Sequence, residues 1–143
     1  MRMTEPRNIP PIMPTITDLN RPFWEGCAAG VLRLQACRPA GHLRYPISET
    51  CPTCLSDDFA WRDLSGDGEI LSAVTFHRAY NKAYEAHVPY NVVLVQLAEG
   101  PRMFSNVLPL SSPALPAGTP VRVAFDPVDD GVAIPRFVPT TQE

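Results

Sequence analysis

The sequence predicts a mainly β protein: a short N-terminal helix and a cysteine-bearing ribbon, followed by a small five-stranded barrel. Three observations lead there. The second half of the 143-residue chain breaks into short β-rich segments separated by turn residues. The first half carries an intact Cys-x-x-Cys knuckle, Cys51 and Cys54, behind a single upstream cysteine, Cys37. Many of the 17 prolines gather in "PRNIPPIMP" and "LPLSSPALPAGTP", where neither a regular helix nor a central strand can form.

Residues 1–16 read as an extended Pro-rich arm, with Ile9, Ile12, Met13 and Ile16 as its apolar contacts if it lies on a partner. A short helix is expected over Asn20–Ala29. Asn20 is a suitable cap and Pro22 suits the first turn, where no backbone donor is needed. Phe23, Trp24, Cys27 and Ala28 recur at helical spacing and form its buried face, and Gly30 supplies the stop. "VLRLQAC" follows as a strand that leads into the cysteines. The chain turns polar and Gly-containing in "SDDFAWRDLSGDGEI", which places a boundary near Asp63–Asp67. The expected division is an arm at 1–16, helix and ribbon at 17–64, and barrel at 65–140.

The barrel strands are expected in "EILSAVTFH", on either side of the turn Glu99-Gly100-Pro101, in "TPVRVAFD", and in "GVAIPRFVP" after the turn Asp129-Asp130-Gly131. Val121, Val123 and Phe125 alternate with Arg122 and Ala124. Phe76, Val93, Val95, Phe104, Val123, Phe125 and Phe137 are the candidate core. "HRAYNKAYEAHVPY" connects the first two strands as a loop or a short helix.

The formal net charge is −3 and Lys82 is the sole lysine, with no basic run. That argues against nucleic acid as the main partner, since phosphate neutralisation needs a basic stripe. No apolar run reaches the ~20 residues that span a bilayer. The N-terminus lacks the apolar core of a signal peptide, so a cytoplasmic location is the default expectation. Four cysteines in a reducing compartment read as thiols or metal ligands before disulfides.

A structural zinc site wants four ligands, commonly from two knuckles. Cys51-Pro-Thr-Cys54 is one. The other begins at Cys37, but the position three residues on is Ala40, which donates nothing to a metal. Three arrangements stay open. Cys37, Cys51 and Cys54 hold zinc with a fourth donor, His42 taken first and Cys27 second. Alternatively the site binds weakly with water in the open position, or it stays empty and the packing of "HLRYP" holds the ribbon. A redox role for Cys51 and Cys54 fits poorly. Such pairs open a helix that lowers the thiol pKa, whereas "LSDDF" follows here with two aspartates. His77, His87, Tyr80, Tyr84 and Tyr90 have no nucleophile, Gly-rich oxyanion loop or Ser motif beside them. They read as packing and surface residues, and no catalytic residue is assigned.

In order, "WEGCAAGVLRLQAC", "GHLRYPISETCPTC", "SGDGEILSAVTFHRA", "VPYNVVLVQLAEGPRMFSNV" and "PVRVAFDPVDDGVAIPRF" run from Trp24 to Phe137, within a similarity that covers roughly residues 17–138. This series resembles the acyl-CoA-associated OB-fold proteins that carry an N-terminal rubredoxin-like zinc ribbon. The resemblance implies a five-stranded OB-fold barrel behind the ribbon. It implies a non-catalytic subunit of a hetero-oligomer, docked on a thiolase-like enzyme or a MaoC-like hydratase and helping to hold acyl-CoA. Under that reading Arg78, Lys82 and Arg102 are the candidates for CoA phosphates, for which arginine is chemically suited. A stand-alone module for CoA esters or another anionic ligand is the alternative. A single-stranded nucleic-acid binder ranks below both, since it would need stacked aromatics over a basic groove.

Overall fold

The computed structural model describes residues 13–79 and 82–140, with the side chains of residues 83 and 84 not described. Most of the expected arm, with Ile9 and Ile12, lies outside the described residues, as do Tyr80 and the side chain of Tyr84. Among the described residues no helix is long and apolar enough to cross a membrane.

Helix α1 runs Arg21–Ala28 and buries Phe23, Gly26 and Cys27, while Trp24 is half-buried. Pro22 occupies its first turn as expected. Asn20 sits at the cap position, but its side chain does not cap the helix. Its Oδ1 accepts the Thr17 N–H at 2.7 Å and its amide donates to the Thr15 carbonyl at 3.0 Å, so it fixes the turn before the helix. Gly30, at φ +85°, ends the helical segment in a conformation that glycine adopts without strain.

Three strands form the ribbon: β1 (Leu32–Cys37), β2 (Leu43–Arg44) and β3 (Phe59–Leu64), in the antiparallel order β2-β1-β3. The pleat of β1 divides its side chains between two faces. Leu32 and Leu34 enter the apolar core shared with α1, and Gln35 and Cys37 face the cysteine loops.

Five strands form the second sheet: β4 (Asp67–Phe76), β5 (Tyr90–Leu97), β6 (Arg102–Ser105), β7 (Pro120–Asp129) and β8 (Val132–Pro139). Their order is β6-β5-β4-β7-β8. A short 3-10 helix at Lys82–His87 occupies the β4–β5 connection. A bulge between Ile70 and Ser72 lets β4 follow β5 along its length while pairing with β7 only over Asp67–Glu69. The sheet therefore curls into an OB-like half-barrel. Its two edges meet where Val107 forms a parallel bridge to Phe137, with Leu108 N–H donating to Phe137 O and Phe137 N–H to Asn106 O, each at 2.9 Å.

A single apolar cluster joins α1 (Phe23, Cys27), the ribbon (Leu32, Leu34, Leu64) and the barrel (Ile70, Val93, Val95, Leu97, Met103, Val107, Val121, Phe137). Of the expected core, Val93, Val95 and Phe137 are buried, and Phe76, Val123 and Phe125 are half-buried. Phe104 is a correction: it is 70% exposed. On the short edge strand β6, Met103 opposite Val95 takes the inward position, and the period of two turns Phe104 outward.

Gly66 joins the two sheets at φ +84°, and a Cβ built there would collide with a Val123 methyl. Gly66→Ala is expected to lower stability by about 1–3 kcal/mol through overpacking alone, read as a lower thermal midpoint by circular dichroism. An unchanged midpoint would show that the junction has slack.

Candidate metal centre and surface sites

The β1–β2 hairpin builds half of the centre. Cys37 N–H donates to His42 O at 2.9 Å, which sets the two residues opposite each other. Gly41, at φ +74°, makes the tight return possible, and its N–H donates to Cys37 O at 2.7 Å. The His42 N–H points at Cys37 Sγ, 3.2 Å away. Ala40 is exposed and contributes no side-chain donor, but its backbone N–H also turns toward the Cys37 sulfur. The Cys51–Cys54 turn builds the other half. Leu55 N–H donates to Cys51 O and Cys51 N–H to Ser56 O, both at 2.8 Å.

These two halves bring four donors together. The Sγ atoms of Cys37, Cys51 and Cys54 and a ring nitrogen of His42 all lie within 4.8 Å of one another. His42 Nδ1 is 3.4 Å from Cys37 Sγ and 3.7 Å from Cys51 Sγ, and the Cys37 and Cys54 sulfurs are 3.8 Å apart. Zinc bound tetrahedrally, with Zn–S near ~2.3 Å and Zn–N near ~2.0 Å, requires about 3.8 Å between sulfurs and about 3.5 Å between sulfur and nitrogen. The donor set and its spacing fit a closed four-ligand zinc site. Cys27, the other candidate fourth donor, is elsewhere: it lies in the apolar core, where burial pushes its thiol up to about 12.

The thiolate form is favoured at Cys37 and Cys51, whereas the Cys54 thiol, although the Ser56 N–H draws it down, is raised on balance by burial and by its hydrogen bonds to Cys51 and Cys37. N–H groups of Cys54 and Thr53 draw the Cys51 thiol down to about 6 against the effect of burial. Burial opposes ionisation of Cys37, but the N–H groups of Ala40 and His42 outweigh it and lower that thiol too. The hydrogen bond to Cys51 and the charge of Cys37 raise His42. Zinc would displace that proton, since imidazole ligates as the neutral base.

The three candidate phosphate contacts do not converge. Arg78 is exposed just after β4, and Lys82 is exposed at the start of the 3-10 helix. Arg102 opens β6 and its Nε donates to Gln96 Oε1 at 3.2 Å. Phe76 pairs with Tyr90 and Arg102 with Gln96, so Arg78 and Arg102 mark opposite ends of β5. Six residues of strand separate those ends by about 20 Å. A single phosphate cannot be held by both. His77 is exposed at the end of β4, His87 is half-buried, and Tyr90 is buried with its ring 5.3 Å from that of Phe76.

A buried polar network escaped the sequence reading. Arg136 on β8 donates through Nε to Asp126 Oδ2 on β7 at 2.8 Å and through Nη1 to Asn106 Oδ1, and the Asn106 amide donates to Asn91 O. Asn91 donates to the carbonyls of Val107 and Leu110, each at 2.9 Å, and accepts the Val107 N–H at 2.7 Å. The network lies behind the Val107–Phe137 seam and ties β5, β7 and β8 to the segment after β6. A basic residue inside the otherwise apolar "GVAIPRFVP" was the available signal.

Two family models match the chain in succession. One, described as the rubredoxin-like zinc ribbon domain of ChsH2, matches residues 24–60, and one described as the C-terminal OB-fold domain of ChsH2 matches residues 61–126. A protein of Thermomonospora curvata named "Probable enoyl-CoA hydratase alpha subunit" is 29% identical over 130 residues, covering 91% of this chain and 40% of that protein. The chain thus spans less than half the length of that relative. A "DUF35 domain-containing scaffold protein" of Methanocaldococcus jannaschii is 29% identical over 111 residues, 74% of this chain and 75% of that one. A solved structure described as "Ltp2-ChsH2(DUF35) aldolase" superposes with a TM-score of 0.77 at 30% identity, over 89% of this chain and 98% of that one. Ribbon, barrel and their order therefore agree, and the chain belongs to the ChsH2-type DUF35 family, in which a rubredoxin-like zinc ribbon precedes an OB-fold domain.

Proposed function

We propose that this chain is a non-catalytic accessory subunit of an acyl-CoA-processing complex. It docks on and stabilises a thiolase- or aldolase-like enzyme, or a MaoC-like hydratase, and assists acyl-CoA binding. The observation that carries this reading is the likeness, over 98% of its length, to the chain of the Ltp2–ChsH2(DUF35) aldolase structure. The scaffold and hydratase-subunit names of the relatives support the same class of role. Exposed apolar side chains at Phe104 on β6 and Leu55 at the cysteine turn suit a protein whose surface is completed by another subunit.

Zinc belongs to the same proposal. Cys37, His42, Cys51 and Cys54 hold one ion that fastens the β1–β2 hairpin to the Cys51–Cys54 turn and gives the ribbon a fixed docking shape. Zinc bound here supplies structural crosslinking. Arg78 and Lys82 at one end of β5 and Arg102 at the other would touch different parts of a CoA ester, or the same ester together with the partner's surface.

The test is gel filtration with a candidate thiolase- or hydratase-type partner, followed by thioester assays of each fraction. The chain alone is expected to show no turnover, and the mixture to co-elute with a partner of higher thermal midpoint. Turnover by the lone chain, abolished by one substitution, would sink the proposal. Tight binding of a CoA ester by the lone chain, with no co-elution, would favour a stand-alone module.

A further inference from the structure

Arg44 is the most deeply buried cation among the described residues, at 2% exposure. It lies on β2 opposite Gln35; Ala36 and Leu43 form the next facing pair toward the turn, and Cys37 and His42 the one after that. Directly opposed antiparallel residues share a face, as do residues two apart on one strand. Arg44 therefore projects from the face that carries Cys37 and His42. Phe59, opposite Cys37 on β3, shares that face, and its ring lies under the Arg44 guanidinium at 4.9 Å. Arg44 Nη1 donates to Ser48 O at 3.3 Å. Nε and Nη2 are buried without a hydrogen-bond partner, and no ion pair among the described residues includes Arg44.

A buried guanidinium without an anion is strongly unfavourable. Asp63 on β3 shares this face but pairs with Arg33 at 2.7 Å, which leaves the thiolates as the negative charge available to Arg44. A divalent cation, three thiolates and one neutral imidazole sum to a single negative charge, which one guanidinium balances. We propose that Arg44 is the counter-charge of the Cys37–His42–Cys51–Cys54 site, raising its affinity for zinc without ligating the ion. This rests on the four-donor assignment above. It also gives the ribbon a reason to enclose an arginine where an apolar side chain would pack at lower cost.

The test is a zinc competition titration of the full chain against a chromophoric chelator, repeated with cobalt to follow its thiolate charge-transfer band. Arg44→Met is expected to weaken zinc binding about 10–100-fold, the usual effect of losing a group that supports the ligands. Arg44→Lys, which keeps the charge, is expected to stay close to the parent. Unchanged affinity in Arg44→Met would overturn the inference and leave the four-donor site standing. Absence of metal in the parent would overturn both. Equal losses in the two variants would assign Arg44 to packing on Phe59 and overturn the charge role. Should Arg44→Met not fold, Arg44→Lys decides alone: near-parental affinity supports the counter-charge, and lost binding rejects it.

Discussion

The parent chain is expected to purify with about one zinc ion, and a Cys51→Ala chain with almost none. Cys51 is fully buried and faces the His42 ring, and its loss removes one of the four candidate donors from the cluster. A three-donor remnant competes poorly for the metal. Structural zinc contributes its binding free energy to folding, about 10–16 kcal/mol in isolated zinc-finger peptides. The damage should be local, because the barrel has its own pairing from β4 to β8. Hydrogen exchange should speed up over residues 37–58 and change little at Val93 and Val95. Metal analysis by plasma emission gives the stoichiometry directly. The companion variants fix the fourth ligand. His42→Cys should retain zinc as a four-thiolate site, and His42→Ala should lose it. Full, tight zinc in His42→Ala would remove His42 from the ligand set.

Arg136→Met is expected to destabilise the fold by about 3–5 kcal/mol, the usual consequence of removing one partner from a buried ion pair. Arg136 is 5% exposed and Asp126 2%, joined at 2.8 Å, so little water can replace the lost partner. For a domain of this size the loss corresponds to a midpoint lower by about 10 °C or more. Asn106, which accepts from Arg136 and donates to Asn91 O, would lose its anchor with it. The Val107–Phe137 seam should therefore open first. The double variant Asp126→Leu with Arg136→Met should recover much of the stability, since a buried pair replaced by apolar groups is often neutral. Thermal and urea unfolding of the three chains measure both effects. A single variant as stable as the parent would mean that the pair contributes nothing net.

The strands of the barrel were legible because alternation and turn residues are local. "VPYNVVLVQLAEGPRMFSNV" already contains β5, the Glu99-Gly100-Pro101 turn and β6. The Cys-x-x-Cys knuckle was legible for the same reason. Asn20 misled, since a capping residue type was read as a cap, while its side chain found nearer partners at Thr15 and Thr17. Phe104 misled because a hydrophobic residue in a strand was assigned to the core, whereas the register of a four-residue edge strand chose Met103. The Asn91–Asn106–Arg136–Asp126 network was invisible. Its members lie 10 to 45 residues apart in the numbering and meet only when the sheet curls.

By itself the sequence determined the kind and order of the parts: a Pro-rich start, a short helix, a cysteine ribbon and five strands. Each of these depends on residue types within a few positions of one another. The tertiary structure decided what those parts do together. Hairpin register set His42 across from Cys37 and so brought a ring nitrogen to the three sulfurs, and the same register turned Arg44 onto the face that carries Cys37 and His42. Both outcomes depend on which strand positions oppose each other, a geometric relation that composition and spacing leave open.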